Sequence, residues 1–227
     1  MLHYFEAKDL LSRNVGKVLS IFLLTFLIGF VSGVVGLLPL GIIVCVIGAL
    51  FVEVLEILAL RMNIVDGNEY SWSHMIKTSW TAIKDNAGPI LMVTLFYFLE
   101  VIGLTFLTFI LVSLTIMGSL FSPIFGILLF LVEYIFMVIL LGYVSYSYTY
   151  SLSYILYGMS RDEANNAKYT YKKDMFGMSW RIALLSCIPI VGFVFVIIWG
   201  YRYAIKIQLD TYQKQEEIMD IEVEEVE

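Results

Sequence analysis

Four glutamates stand inside long apolar runs of this chain: Glu53 and Glu56, then Glu100, then Glu133. No Lys, Arg or His shares those runs. An ionised side chain at mid-bilayer costs about 2.5–3.5 kcal/mol on insertion scales, so such groups face a bundle interior or water. Glu53 and Glu56 are three apart and share one helix face. At helical rise they stand about 12 and 8 Å from Arg61, while Glu100 and Glu133 fall near mid-depth of their runs. Four carboxylates at comparable depth could line a cation or proton pathway. They could equally be neutral acids hydrogen-bonded to a Ser, Thr or Tyr of a neighbouring helix, a contact of roughly 0.6 kcal/mol.

A tyrosine stripe follows Glu133 in Tyr143, Tyr146, Tyr150, Tyr154 and Tyr157. Such a stripe packs against a neighbouring element, and its hydroxyls can also satisfy buried carboxyls. Tyr146 and Tyr150 therefore join Glu53, Glu56, Glu100 and Glu133 as candidate binding residues. The chain has no P-loop, HExxH, GxSxG or CxxC pair and no histidine cluster. His3 and His74 lie in polar segments and read as solvated. No catalytic or metal-ligating residue and no cofactor is expected, and an enzyme is not.

The elements that must hold these residues are membrane helices. Hydrophobic residues make up 60% of the 227 and charged residues only 15%, against about 25% charged in a soluble domain. Mean hydropathy is +0.86. The 14 Lys and Arg fall in four groups, at 8–17, 61–84, 161–181 and 202–214. Between them lie three apolar blocks, roughly 18–60, 87–158 and 182–201. The first two are each long enough for two crossings of a core of about 30 Å. Each is broken by an uncharged turn, at Leu38-Pro39-Leu40-Gly41 and at Ser122-Pro123. Basic segments on one side and uncharged turns on the other put the N-terminus and every basic group in the cytoplasm. The first block is too long for a signal-peptide core and is expected to remain in the membrane.

Leu11-Ser12-Arg13-Asn14-Val15-Gly16, Ile83-Lys84-Asp85-Asn86-Ala87-Gly88 and Lys172-Lys173-Asp174-Met175-Phe176-Gly177 each join a basic amphipathic stretch to an apolar run. The repeating unit would be an interfacial helix followed by a helical hairpin. In Asn68–Asn86, Trp72, Ile76, Trp80 and Ile83 share a helical face beside Lys77 and Lys84, the pattern of a helix lying in the membrane plane. Arg161–Met175 is more polar and also helix-compatible. The third block has two readings. Ala183–Tyr201 is one kinked span, or Pro189-Ile190-Val191-Gly192 turns a short hairpin. Arg202, Lys206 and Lys214 favour the hairpin, with a cytoplasmic C-terminus. Cys45 and Cys187 sit in apolar runs and read as buried free thiols.

The expected fold is all-α: a polytopic transmembrane bundle of about six helices, in three hairpins (roughly 16–61, 87–158 and 178–209) joined by cytoplasmic amphipathic interfacial helices. Residues 1–214 would form one domain, with 215–227 a disordered acidic tail.

Tyr148–Tyr157, Ala164–Lys173, Trp180-Arg181 and the apolar stretch ending in Tyr201-Arg202-Tyr203 resemble a bacterial family of small multi-span membrane proteins of unknown function. A looser likeness runs to the membrane domain of glycerophosphodiester phosphodiesterases. In both groups a Tyr-rich helix precedes an amphipathic helix of spaced small residues. Ala167, Tyr171 and Gly177 follow that rhythm, although Tyr171 stands where a small residue is expected. The resemblance implies a bacterial cytoplasmic membrane and six helices, and no activity.

Two functions fit these features. One is a transport- or channel-like protein whose glutamates line a polar cavity. The other is a membrane-embedded immunity, assembly or regulatory factor that binds partners through its interfacial helices and tail. The lipid bilayer is the implied partner, with protein partners or a second copy besides, and nucleic acid is not.

Overall fold

The computed structural model describes residues 2–36, 41–188 and 191–224. They are all-helical, with no strand among them: α1 (Leu2–Arg13), α2 (Val15–Gly36), α3 (Gly41–Leu60) running into a π-helical turn (Arg61–Val65), α4 (Trp72–Asp85), α5 (Ala87–Phe121), α6 (Pro123–Leu156), α7 (Arg161–Thr170), α8 (Lys172–Ser186) and α9 (Val191–Glu224). Four stretches are long and apolar enough to cross a membrane: Val15–Gly36, Ile43–Val65, Ala87–Phe121 and Pro123–Leu156. Neither α8 nor α9 is among them. The Pro39 and Pro189-Ile190 breaks lie outside the described residues.

The chain divides into two compact units, Met1–Leu91 with Thr149–Ala164 and Tyr201–Glu227, and Met92–Tyr148 with Asn165–Gly200.

In the first unit α2 packs along α3, and α3 on α4. A Cβ on Gly48 would collide with the Ser32 side chain, and one on Gly36 would come to 3.0 Å of the Cys45 Cβ. Small residues at such seams let helix backbones approach where lipid offers no competing hydrophobic drive. Ser71 caps α4 by accepting the His74 amide at 3.3 Å, and Met75 and Ser79 form its buried face. Val54, Leu55, Leu60, Ile64, Leu152, Ile205 and Ile207 are fully buried here. The last turn of α6 closes at Gly158, whose φ of 79° suits glycine. Ser160 and Glu163 form a reciprocal capping box at the start of α7.

The second unit is built on the α5/α6 pair. Pro123 occupies the first position of α6, where its missing N–H costs nothing. A Cβ on Gly126 would meet the Ser119 Cβ at 2.7 Å. At the other end Tyr97 stacks on Tyr148 with ring centroids 4.5 Å apart, and the Thr94 and Tyr148 hydroxyls are 3.2 Å apart. The α8 helix seats Ser179 against Gly142 of α6, where a Cβ would lie 2.9 Å from the serine oxygen.

Three local expectations change. Arg161–Met175 breaks at Tyr171 into α7 and α8. Residues 215–224, expected to be disordered, continue α9 as helix. Gln, Lys and Glu are strong helix formers, and Lys214 pairs with Glu217 at 3.1 Å one turn on. Cys45 is half-buried and Cys187 exposed, rather than both buried.

Candidate functional site

The six candidate binding residues divide between the two units. Glu53, Glu56 and Tyr150 belong to the first unit, and Glu100, Glu133 and Tyr146 to the second. In the second unit Glu133 accepts a hydrogen bond from the Thr115 hydroxyl. Glu100 is exposed and is the acidic neighbour of Tyr143. Thr115 lies fifteen residues beyond Glu100, about 22 Å along α5, so these two carboxylates attach far apart along that helix. The cause is the length of α5. Its 35 residues span about 52 Å, well beyond a core of about 30 Å. Apolarity alone gave no sign of where the crossing part stops. Tyr146 is half-buried.

In the first unit Glu53 and Glu56 are neighbours on α3, as their spacing requires. The phenol that meets Glu56 comes from Tyr201 of α9, which also reaches Thr25 of α2. Tyr150 turns instead toward α9.

There, sequence reasoning missed the most developed polar cluster of the described chain. Lys206 and Asp210, one turn apart on α9, are both buried and pair at 2.6 Å. The Tyr150 hydroxyl donates at 2.6 Å to the same Asp210 oxygen that Lys206 contacts, and Lys206 Nζ donates to Tyr150 at 3.4 Å. His3 Nδ1 meets the other Asp210 oxygen at 2.7 Å. Its side chain is 24% exposed, so His3 is half-buried rather than fully solvated, because it meets a buried carboxylate. His74 is exposed and stacks on Tyr70 at 4.8 Å. Beside His3, the Tyr4 carbonyl accepts from Arg202 at 3.0 Å, and the guanidinium lies 3.6 Å from the Tyr4 ring centre.

A second layer surrounds Arg61, which the π-helical turn directs inward. Its guanidinium pairs with Asp66 at 2.9 Å, donates to the Gln208 carbonyl at 3.4 Å, and lies 4.7 and 4.1 Å from the Tyr157 and Tyr212 ring centres. Gln208 donates to Ser153 at 3.1 Å. Burial pushes the Tyr157 phenol up, against the opposing pull of Arg61. The Lys206–Asp210 spacing was the only local sign of this region. His3, Tyr150, Ser153 and Arg61 join it from positions remote in sequence.

Among the described residues no group of three or more His, Cys, Asp or Glu side chains could hold a metal ion. Chemically the α9 cluster can fix helices and hold charge out of water. No nucleophile–base pair is formed in it. No family model, curated protein or solved structure matches the chain.

Proposed function

We propose that this is a non-enzymatic integral membrane protein that works by binding another membrane chain, as an assembly, immunity or regulatory factor does, through the uncovered faces of α5 and α6. One observation carries this reading. None of the most apolar stretch of α5 is buried, and little of that of α6. A self-sufficient bundle would bury one stripe of every span. Phe109 and Phe121 on α5 and Phe130 on α6 are 77%, 87% and 58% exposed, and they offer large rings to a partner helix or a second copy. The half-buried Glu133–Thr115 pair adds a polar contact of the kind that joins helices within lipid.

The architecture that goes with this reading has six helices in three pairs: α2/α3, α5/α6 and a third, re-entrant pair of α8 with the start of α9. The basic segments lie on the cytoplasmic face of a bacterial membrane. Contacts of His3 and Tyr4 with Asp210 and Arg202 support one side of the membrane for both chain ends.

The test is site-specific photocrosslinking in cells, with benzoylphenylalanine at Phe109 or Phe130 and, as control, at exposed Leu23 of α2. A discrete protein adduct from the α5 and α6 positions is expected, at twice the chain's mass if the partner is a second copy. Adducts to lipid alone at both positions would sink the reading. A second reading, a proton or cation site, is favoured by the Glu53/Glu56 pair beside Tyr201 and Thr25. It requires that Glu56→Gln abolish ion flux in vesicles that contain the protein.

A further inference from the structure

Two helices, one in each unit, carry the same local design. In α4, Met75 and Ser79 are buried, the Ser79 hydroxyl donates to the Met75 carbonyl at 2.8 Å, and Trp80 follows exposed. In α8, Met175 and Ser179 are buried, the Ser179 hydroxyl donates to the Met175 carbonyl at 2.8 Å, and Trp180 follows exposed. Each then shows an apolar stripe at i, i+4, i+8. In α4 it is Trp72, Ile76 and Trp80, at 37–46% exposure, and in α8 it is Phe176, Trp180 and Leu184, at 46–54%.

The small serine explains the arrangement. A serine whose hydroxyl is satisfied by its own helix can press against a neighbouring backbone, as Ser179 does on Gly142. That contact also sets depth. Gly142 lies nineteen residues beyond Pro123, about 28 Å at helical rise. With the Pro123 turn at one boundary of a core of about 30 Å, Ser179 sits at the opposite boundary, the level that tryptophan prefers. Lys172 and Lys173 open α8 and Arg181 adjoins Trp180, all exposed. In α4 exposed Lys77 and Lys84 accompany the stripe, with Lys84 Nζ 5.6 Å from the Trp80 ring centre, and Trp80 also touches Phe51 at 6.4 Å.

We infer that α8, and α4 by the same design, are interfacial anchors whose Trp-centred stripes enter the lipid boundary while their flanking bases recruit anionic phospholipid headgroups. The occupant is lipid rather than protein because charge, depth and ring type agree on it: bases beside the stripe, tryptophan at its centre, and a contact on α6 at boundary distance. The inference rests on the membrane reading of the chain.

The test uses the full chain with Trp180 as its sole tryptophan, the others replaced by Phe, in lipid nanodiscs. A parallel chain carries Phe130→Trp as its sole tryptophan. Bromines placed near the headgroup should quench Trp180 more than bromines deep in the acyl chain, and the reverse should hold for the tryptophan at 130. Shallow quenching should rise when the brominated lipid is the anionic minor component, because each engaged base enriches that lipid beside α8 by up to about fivefold. Lys172→Gln/Lys173→Gln/Arg181→Gln should remove that rise and leave shallow quenching intact. Equal quenching by anionic and zwitterionic lipid, or none at Trp180 while position 130 is quenched, overturns the inference. Absence of quenching at both positions would instead overturn the membrane reading. Should the single-Trp chain fail to fold, the difference between the unaltered chain and Trp180→Phe reports the same quantity.

Discussion

Asp210→Asn is the sharpest perturbation of the α9 cluster. The substitution keeps the shape and an oxygen that can accept from Tyr150, but removes the counter-charge of Lys206. Lys206 is 5% exposed and its Nζ lies 2.6 Å from the carboxylate, so the buried ammonium would lose this carboxylate partner. Breaking a buried pair in this way costs about 3–5 kcal/mol. Lys206→Met alone should cost less, about 1–3 kcal/mol, because the carboxylate keeps the Tyr150 hydroxyl and the part-exposed His3. With both changes this pair no longer buries charge, and stability should return to within about 1 kcal/mol of the unaltered protein. The two sites therefore couple strongly, with the double variant more stable than Asp210→Asn alone. Reversible unfolding in mixed alkyl-maltoside and dodecyl sulfate micelles, followed by helical ellipticity, measures all four corners of the cycle. Additive effects, or an Asp210→Asn protein within about 0.5 kcal/mol of the original, would refute the reasoning, since water would then already reach Lys206.

The same unfolding measurement checks three further changes. Gly48→Leu should cost about 1–3 kcal/mol through overpacking against Ser32, whereas Gly29→Leu, with open space around its Cα, should stay within about 0.5 kcal/mol. Thr115→Val should cost about 0.6 kcal/mol and at most about 1.7, the range of interhelical polar contacts in lipid. Tyr157→Phe should be neutral or slightly stabilising at pH 7, because the buried hydroxyl has no partner among the described residues and the ring keeps its place beside Arg61. Above pH 10 the variant should also lose less stability than the original. The folded phenol titrates above its ordinary value and the unfolded one ionises near 10, so stability present below pH 10 is lost as pH rises past it, and Phe removes that loss.

What was legible in the sequence was what apolar runs, prolines and tryptophan spacing encode. The Pro123 break, the α4 face and the four crossing-length stretches all follow from patterns within about twenty residues. What was not legible was closed by distance along the chain. His3 and Asp210 are 207 residues apart, and Arg61 and Gln208 are 147. The basic residues 61, 202 and 206 read as topological markers because a positive charge beside an apolar block is expected at the surface. Two of them are buried because a carboxylate within five residues, Asp66 or Asp210, compensates each one. Glu100 lies about 22 Å along α5 from the Thr115 that holds Glu133, a separation that apolarity hides because α5 stays apolar well past the length that a bilayer needs.

The contact between α1 and α9 bears on how often the chain crosses. Tyr4 and Arg202 touch, as do His3 and Asp210, and polar groups at opposite surfaces of a bilayer core about 30 Å thick cannot. On the proposed membrane topology an even number of crossings would therefore separate them. The four candidate spans all lie between α1 and α9, which is already even, and a single kinked span over Ala183–Tyr201 would make the number odd. On that proposal the third pair either crosses twice or not at all. With Ser179 at the inner boundary, as proposed above, Cys187 is eight residues on, about 12 Å, too little to reach the far surface. Cys187 is free and exposed, and it reports on this directly. In a Cys45→Ser background, a membrane-impermeant maleimide added to intact bacterial cells should leave Cys187 unmodified, and label it only after the membrane is opened. Labelling from outside at the rate of an engineered cysteine at Ser122 would mean that α8 and α9 cross fully, and would refute the re-entrant pair.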